Sequence, residues 1–392
     1  MRATVPAPSG GPRQTVAASG PEALETGGVV TVDLAAIVDN WRSLANRVVP
    51  ASCAAVVKAD AYGCGAEPVA AALVKAGAGV LFVAHLDEAR RVRAVAPQAA
   101  LYVLGGIAPG SAAGFAEVDA RPVIGTMAEY MEWDAFRVAS GWQGLAALHF
   151  DTGMNRLGFT RADAQVFTTR VKLPGHGIAL VMSHLACADT PGHPLNARQV
   201  EAFRDLRYLF RGVPTSLANS SGIFLGAGAH CDLVRPGAAL YGVNPVPGSP
   251  NRMAPAVTVT ARIVQTRTVA RGETVGYGAT FTASRQTRIA IVSAGYADGY
   301  PRAAGNPPAK LSPYGTACVV IAGHRCPLAG RVSMDLLAVD VTGVPEAEVR
   351  RADKATVIGR GITVDDVAAW AGTIGYEVLT GLSRRYRREW VE

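Results

Sequence analysis

Eight short apolar segments recur between residues 54 and 242, and they constrain the fold more than any other feature of this 392-residue chain. Their starts lie 18 to 37 residues apart, which leaves room for a strand, a loop and a helix in each unit. Continuous apolar strands that alternate with helices indicate a parallel sheet covered on both faces. Eight such units predict a (β/α)8 barrel. The segments cover residues 54–60, 79–84, 99–105, 121–125, 145–151, 177–184, 214–220 and 232–242.

The pattern changes after Met253, which predicts a second domain. Residues 257–270 alternate between apolar and polar, as strands do, and a helical pattern returns only at 364–371. The expected organisation is a disordered leader at 1–28, a barrel at 29–254 and a mainly β domain at 255–392. The fold class is therefore α/β with an N-terminal TIM barrel. At the start of the barrel, Thr31 or Asp33 is expected to cap a helix.

Composition and charge exclude several classes of partner. The chain carries 38 basic and 31 acidic residues, a formal charge of +7, but four of the arginines lie in its last nine residues. They indicate a solvated basic terminus, because no nucleic-acid motif accompanies them. No apolar run is long enough to cross a membrane. The six cysteines form no CxxC pair and show no zinc spacing, so we expect reduced thiols, a cytoplasmic location and no metal.

Chemically active side chains stand at the ends of the predicted barrel strands. Lys58 ends the first strand, His184 the sixth and Ser220 the seventh; Arg156 follows the fifth, and Arg235 lies within the eighth segment. Active sites of such barrels lie at the carboxyl ends of the strands. An unpaired lysine at the end of an apolar run is costly, so Lys58 is either a surface lysine with a buried stem or a Schiff-base nucleophile. Its own position leaves both interpretations open.

The neighbours of Lys58 decide between them. AVVKADAYGCG, residues 55–65, resembles the cofactor-lysine signature of the alanine racemases, which are fold-type III enzymes that use pyridoxal 5′-phosphate. Further segments resemble the same family in the family's own order, from about residue 29 to 382. These segments are DTGMNRLGF (151–159), SHLACAD (183–189), NSSG (219–222), VRPGAALYG (234–242), GYGATF (276–281), GYADG (295–299) and GRVSMD (330–335).

The resemblance implies a two-base racemisation of L-alanine and D-alanine, supplying D-alanine for peptidoglycan. Lys58 would hold the cofactor and act on one face of the substrate, and Tyr277 of a partner subunit would act on the other. The implied enzyme is therefore a homodimer with shared active sites. His184 would lie beside the base tyrosine, and Arg235 would point at the pyridine nitrogen.

The resemblance also assigns binding roles. Tyr62, Ser220 and the backbone at Gly237 would hold the cofactor phosphate, with Lys58, Arg235 and His184 completing the cofactor site. The substrate carboxylate would meet Arg156 and the backbone at Met334. Asp335 would lie near this group, and Tyr296 of the second subunit would narrow the entrance.

Two positions depart from the family pattern. Many members carry a carbamylated lysine seven residues before the arginine that corresponds to Arg156, and His149 occupies that place here. Because a histidine cannot form that stable carbamate, the support of Arg156 must differ. Arg384 stands where some members have a phosphate-binding tyrosine, and Tyr386, two residues away, is not assigned that role.

Other functions remain open on the sequence alone. A fold-type III decarboxylase of a basic amino acid would also pair a barrel with a β domain, but it is expected to present a cysteine where GYGATF presents Tyr277. A stand-alone barrel that only binds the cofactor would lack the second domain. A racemase of broader specificity is a third alternative, since steric rejection of a larger side chain is worth only a few kcal/mol.

Overall fold

The computed structural model describes residues 14–171, 176–305 and 315–392. The chain forms two compact units, one of Ile37–Ala254 and one that combines residues 14–36 with Pro255–Glu392. The strands are β1 (Thr15–Ser19), β2 (Gly28–Asp33), β3 (Ser52–Cys53), β4 (Ala55–Val56), β5 (Val80–Val83), β6 (Ala100–Val103), β7 (Ala120–Ile124), β8 (Ala146–His149), β9 (Ile178–Met182), β10 (Thr215–Ser216), β11 (Leu233–Val234), β12 (Val257–Val269), β13 (Thr274–Val275), β14 (Phe281–Thr282), β15 (Thr287–Val292), β16 (Cys318–Ile321), β17 (His324–Pro327), β18 (Leu337–Asp340), β19 (Lys354–Ile358) and β20 (Arg387–Val391).

The helices alternate with the strands in the first unit and are few in the second. They are α1 (Leu34–Val48), the short α2 (Lys58–Tyr62), α3 (Ala66–Lys75), α4 (Leu86–Val95), α5 (Ala112–Glu117), α6 (Met127–Ser140), α7 (Arg161–Arg170), α8 (Pro194–Leu209), α9 (Ala227–His230), α10 (Val364–Ala371) and α11 (Gly375–Thr380). Within the described residues, no helix is long and apolar enough to span a membrane.

The first unit is a closed parallel barrel. Strands β4 to β10 pair in chain order, and β11 pairs in parallel with β3, the strand that runs into β4. The N–H of Asp232 donates to the carbonyl of Thr215 (3.0 Å) and the N–H of Arg235 donates to the carbonyl of Ala218 (2.9 Å). These bonds join β10 to β11 and close the ring. Each of the eight predicted segments overlaps one of the strands β4 to β11. The prediction of a (β/α)8 barrel is confirmed.

Local sequence signals place several of the helices. The Asp33 carboxylate accepts a 2.8 Å hydrogen bond from the N–H of Ala36, so Asp33, of the two predicted candidates, caps α1. Helix α3 begins at Ala66. Helix α8 begins at Pro194, because a proline is well suited to the first turn of a helix.

The second unit is built on a mainly antiparallel sheet. Its order is β1-β20-β2-β12-β19-β16-β17, and β15 pairs with both β12 and β18. The 13-residue strand β12 is central, and its first half alternates between buried and partly exposed residues. The expectation of a mainly β second domain is confirmed, with α10 at the predicted helical position and α11 as an additional helix.

The residues before the barrel differ from the expected leader. Within the predicted disordered stretch 1–28, Thr15–Ser19 form the exposed strand β1, which pairs antiparallel with β20. The next strand, β2, lies between β12 and β20 and therefore belongs to the second unit. The partners of both strands lie more than 200 residues away in sequence, so no local pattern announces the pairing. Residues 1–13 lie outside the described residues.

Candidate active site

Lys58 lies directly after the barrel strand β4, at the carboxyl end where the sequence predicts the site. Its side chain is half-buried. Burial and the nearby charge of Arg156 lower the pKa of the Lys58 ammonium, and the Glu88 carboxylate partly opposes this shift. A lowered pKa increases the fraction of neutral amine at a given pH, and only a neutral amine is a nucleophile or a base.

The backbone after Lys58 adopts an unusual conformation. Four consecutive residues are left-handed, with φ values of 52° at Ala59, 55° at Asp60, 52° at Ala61 and 54° at Tyr62. This conformation costs an L residue roughly 1–2 kcal/mol, so the segment stores several kcal/mol that surrounding contacts must offset. We call the segment 58–62 the lysine turn.

Tyr62, at the end of the lysine turn, lies next to Gly237 in the loop after β11. A methyl group built on Gly237 would lie 2.3 Å from the Tyr62 hydroxyl oxygen, so only glycine admits this approach. The hydroxyl oxygen of Ser220 accepts hydrogen bonds from the N–H groups of Gly237 (2.9 Å) and Ala239 (3.3 Å). Two hydroxyl groups and a side-chain-free backbone thus converge on one spot, which is the neutral donor set that a phosphate group accepts.

Arg235 directly follows β11 and is buried, with 4% of its surface exposed. Its guanidinium donates to the Ser216 hydroxyl (2.5 Å) and to the Ser183 carbonyl (2.6 Å), and it lies 3.3 Å from Nδ1 of His184. Burial lowers the pKa of Arg235 to about 10, which leaves it protonated at neutral pH. No carboxylate among the described residues forms an ion pair with it, so its charge remains available to a ligand.

Two histidines near these arginines, His149 and the predicted site residue His184, have lowered pKa values and are neutral at neutral pH. Burial, followed by the charges of Arg235 and Arg156, lowers the pKa of His149 to about 4. The same causes lower the pKa of the more deeply buried His184 well below its ordinary value. A neutral His184 beside Arg235 can accept a hydrogen bond from the guanidinium and donate one from its other ring nitrogen.

The His149 shift makes a prediction for stability. Because its pKa falls from 6.5 unfolded to about 4 folded, the unfolded chain takes up a proton between these pH values. The contribution of His149 to the free energy of unfolding is therefore fully present above pH 6.5 and is lost as the pH falls toward 4. We expect a loss of about 2 kcal/mol between pH 7 and pH 5 from this residue. Urea unfolding at both pH values should show that His149→Asn removes this part of the difference; an unchanged difference would contradict the shift.

Arg156 lies in the loop after β8, and its loop is fixed by Asp151. The Asp151 carboxylate accepts hydrogen bonds from the N–H groups of Gly153, Met154 and Asn155 at 2.9–3.1 Å. Burial alone would raise the pKa of Asp151, but these backbone bonds hold it below its ordinary value. Arg156 itself is exposed and makes no hydrogen bond or ion pair with any residue that the structure describes. Its support is therefore the Asp151 loop, with neutral His149 nearby.

Sequence reasoning missed two residues that shape the site. Gln199 of α8 is fully buried, donates to the carbonyl of His184 (2.9 Å) and accepts from the N–H of Ala186 (2.9 Å). Glu88 of α4 binds the lysine turn. The sequence signal that could have found Gln199 is a glutamine on the apolar face of a helix, where a polar side chain needs a buried partner. Glu88 has only an N-terminal helix signature, which is typical of any capped helix.

The second unit brings together the other predicted residues. The N–H of Tyr296 donates to the carbonyl of Ser333 (3.1 Å), and the N–H of Ala297 donates to the carbonyl of Met334 (2.9 Å). The GYADG and GRVSMD segments therefore lie side by side. The Met334 N–H makes no hydrogen bond to the described residues. The Asp335 carboxylate is bound by Arg385 at 2.8 Å.

Tyr277 lies on the same part of the second unit and is 71% exposed. It opens a short 3₁₀ turn, Tyr277–Ala279. Arg331 of the GRVSMD segment packs against this turn, since a methyl group on Gly278 would lie 3.0 Å from its guanidinium. The structure thus places Lys58, Tyr62, Arg156, His184, Ser220, Arg235 and Gly237 in the barrel unit and Tyr277, Tyr296, Met334 and Asp335 in the second unit.

Comparison with known proteins matches both units. Residues 32–245 match the family model for the alanine racemase N-terminal domain, and residues 256–390 match the model for its C-terminal domain. An alanine racemase of Methylobacterium sp. strain 4-46 is 48% identical over 93% of this chain and 98% of the relative. A biosynthetic alanine racemase of Agrobacterium fabrum is 45% identical over 92% of this chain and 93% of the relative.

A solved structure supports the same assignment. The alanine racemase of Bartonella henselae, crystallised with covalently bound pyridoxal phosphate, superposes with a TM-score of 0.86 at 34% identity. The match covers 93% of this chain and 99% of that protein. Two family models that together span most of the chain, and relatives of nearly equal length, lead to one conclusion: this chain belongs to the alanine racemase family.

Proposed function

We propose that this protein interconverts L-alanine and D-alanine with pyridoxal 5′-phosphate bound to Lys58. The observation that carries the proposal is the convergence of Lys58, the Tyr62–Gly237–Ser220 spot and Arg235 at the carboxyl end of one barrel. A lysine of lowered pKa, a set of phosphate donors and a buried cation are the parts that this cofactor requires. The cofactor, when bound, delocalises the electron pair left on the amino-acid α-carbon after its proton is removed.

The barrel residues have distinct tasks toward that group. Lys58 would attach it, and Tyr62, Ser220 and the backbone at Gly237 would hold its phosphate. Arg235 would interact with the ring nitrogen, and its guanidinium does not easily give up a proton. His184, neutral and beside Arg235, relays a hydrogen bond toward the second base.

The two bases are assigned to the two faces of the substrate. The Lys58 amine removes or returns the α-proton on one face, and the Tyr277 hydroxyl does so on the other. Because the proton leaves on one face and returns on the other, inversion is simplest with two bases. Tyr277 comes from a second subunit in this proposal, so that the second unit contributes to its partner's site.

Substrate binding is assigned to residues whose polar groups are unsatisfied. Arg156 has no carboxylate partner among the described residues, and the Met334 N–H is likewise unpaired within them. Both would bind the substrate carboxylate, with Asp335 nearby and Tyr296 limiting the space beyond a methyl group. Such steric limits discriminate only modestly, so slow turnover of serine is expected.

A homodimer is supported by the surface of the second unit. Three large hydrophobic side chains are exposed there: Tyr277 is 71% exposed, Met334 52% and Tyr296 41%. Exposed patches of this kind mark interaction surfaces. The six cysteines are all free thiols, which favours a cytoplasmic location. The D-alanine formed would be supplied to peptidoglycan synthesis.

The proposed cofactor site makes a specific prediction. Gly237→Ala places a methyl group against the Tyr62 hydroxyl, and Tyr62 is buried against Tyr241 with ring centroids 4.9 Å apart, so the ring has little room to retreat. We expect the affinity for pyridoxal phosphate to fall by about tenfold or more. Absorbance titration of the cofactor-free protein measures this. Gly79→Ala is the control, because nothing lies within 4 Å of a methyl group there; equal affinities in the two variants would contradict the assignment.

The proposed reaction is tested by incubating the purified protein with pyridoxal phosphate and L-alanine and following D-alanine with a D-amino-acid oxidase assay. D-Alanine should accumulate until both enantiomers are equal. L-Serine and L-lysine are assayed in parallel. Release of carbon dioxide from L-lysine without racemisation of alanine would overturn the proposal in favour of a decarboxylase.

A further inference from the structure

Glu88, at the start of α4, connects two segments at the mouth of the barrel. One of its carboxylate oxygens accepts a 2.7 Å hydrogen bond from the N–H of Ala59, the first left-handed residue of the lysine turn. The other accepts from the N–H groups of Ala84 (2.7 Å) and His85 (3.2 Å), which follow β5. A single carboxylate therefore ties the residue after Lys58 to the end of the neighbouring strand.

A second contact from the same helix holds the middle of the lysine turn. Arg91 lies one helical turn after Glu88 and pairs with Asp60 at 2.8 Å and with Glu67 at 2.6 Å. Asp60 also accepts a hydrogen bond from the N–H of Ala66 (3.0 Å). These ion pairs are partly exposed, so each contributes little by itself. Together, Glu88 and Arg91 show that one face of α4 contacts the lysine turn.

The lysine turn needs such contacts because L residues disfavour its conformation. The bond from Ala59 to Glu88 acts at the peptide group that follows Lys58, and it therefore fixes the backbone angle that aims the lysine side chain. It is also a charge-assisted hydrogen bond, the stronger class of this interaction. Glu88 therefore matters for the lysine turn because of the peptide group that it binds, and not because it is buried.

We propose that Glu88 is a positioning residue that holds Lys58 in its working orientation by anchoring the left-handed lysine turn. The inference rests on the proposed role of Lys58 as the cofactor lysine. Glu88 does not touch the substrate in this scheme; it acts through the Ala59 N–H. Its loss should therefore loosen the turn and slow turnover more than it weakens substrate binding.

The test compares Glu88→Gln with Asp87→Asn in the cofactor-loaded protein. Both changes replace a carboxylate by an amide in the first turn of α4, and Asp87 is exposed and makes no hydrogen bond or ion pair with the lysine turn. Hydrogen exchange followed by mass spectrometry on a peptide covering residues 57–65 should be about tenfold faster in Glu88→Gln only. In the same variant, kcat for alanine should fall about tenfold with little change in KM.

Glu88→Asp separates position from charge and serves if Glu88→Gln does not fold. The shorter side chain keeps the negative charge and can still bind the N–H groups at the start of α4, but it withdraws from Ala59. Exchange in residues 57–65 should remain fast and kcat low. Wild-type exchange and kcat in Glu88→Asp, or exchange in Glu88→Gln equal to that of Asp87→Asn, would overturn the proposal. If the wild-type protein did not racemise alanine, the proposed function would fail while the exchange measurement still decided the role of Glu88.

Discussion

Lys58→Ala is expected to abolish both the covalent attachment of pyridoxal phosphate and the racemisation of alanine. Lys58 is the amine of lowered pKa at the mouth of the barrel, and alanine offers neither a nucleophile nor a base in its place. The loss of activity should reach about 10⁴-fold or more, since a positioned base alone contributes up to that factor. The measurements are the absorbance band of the bound cofactor, before and after borohydride treatment, and the D-alanine assay.

Lys75→Ala provides the matched control for this change. Lys75 ends α3 in the same unit but is exposed, and it makes no hydrogen bond or ion pair with the part of the chain that the structure describes. Its replacement should leave the absorbance band and the activity intact. A borohydride-fixed cofactor in Lys58→Ala, or full activity there, would show that another lysine carries the cofactor.

Tyr277→Phe is expected to lower kcat by about 10³-fold while leaving the cofactor bound. The substitution removes one oxygen atom from an exposed side chain of the second unit, so folding of either unit should be unaffected. Loss of the base on one face should slow proton transfer there, and exchange of the α-proton with solvent deuterium should become dependent on the starting enantiomer. Equal exchange from L-alanine and D-alanine in this variant would contradict the two-face assignment.

Mixing Lys58→Ala chains with Tyr277→Phe chains tests whether the two bases come from different subunits. If they do, each mixed dimer has one intact site and one site with both changes. Random exchange makes half of the dimers mixed, so about a quarter of the wild-type activity should return. Chains of either variant incubated alone provide the control. If both bases came from one chain, no combination would restore activity.

Much of the fold could be predicted because it is set by residues close together in sequence. The apolar segment 79–84 and its seven counterparts are recognisable as strands from their composition, and Asp33 is one of two helix-cap candidates before the helical pattern that follows it. The connection of strands by helices then leaves few topologies, of which the closed barrel is one. The positions of Lys58, His184 and Ser220 at strand ends followed from the same pattern.

What the local pattern could not predict depends on distant contacts. Strand β1 looked like part of a disordered leader because its partner, β20, lies at the other end of the chain. The lysine turn is built from ordinary residues, and the sequence gives no sign that Ala59 and Ala61 have positive φ. Glu88 carries no sequence signal beyond that of an acidic residue in a first helical turn, and only the folded chain brings it within 2.7 Å of Ala59, 29 residues away.

The sequence by itself therefore determined the barrel, the mainly β second unit and the residue types available for chemistry, because hydrophobic periodicity and helix caps act between near neighbours. The tertiary structure decided the left-handed course of the lysine turn, the neutral state of His149 and His184, and the approach of Tyr62 to Gly237. Each of these depends on burial and on charges or atoms supplied by other segments, and such quantities exist only once the chain has folded.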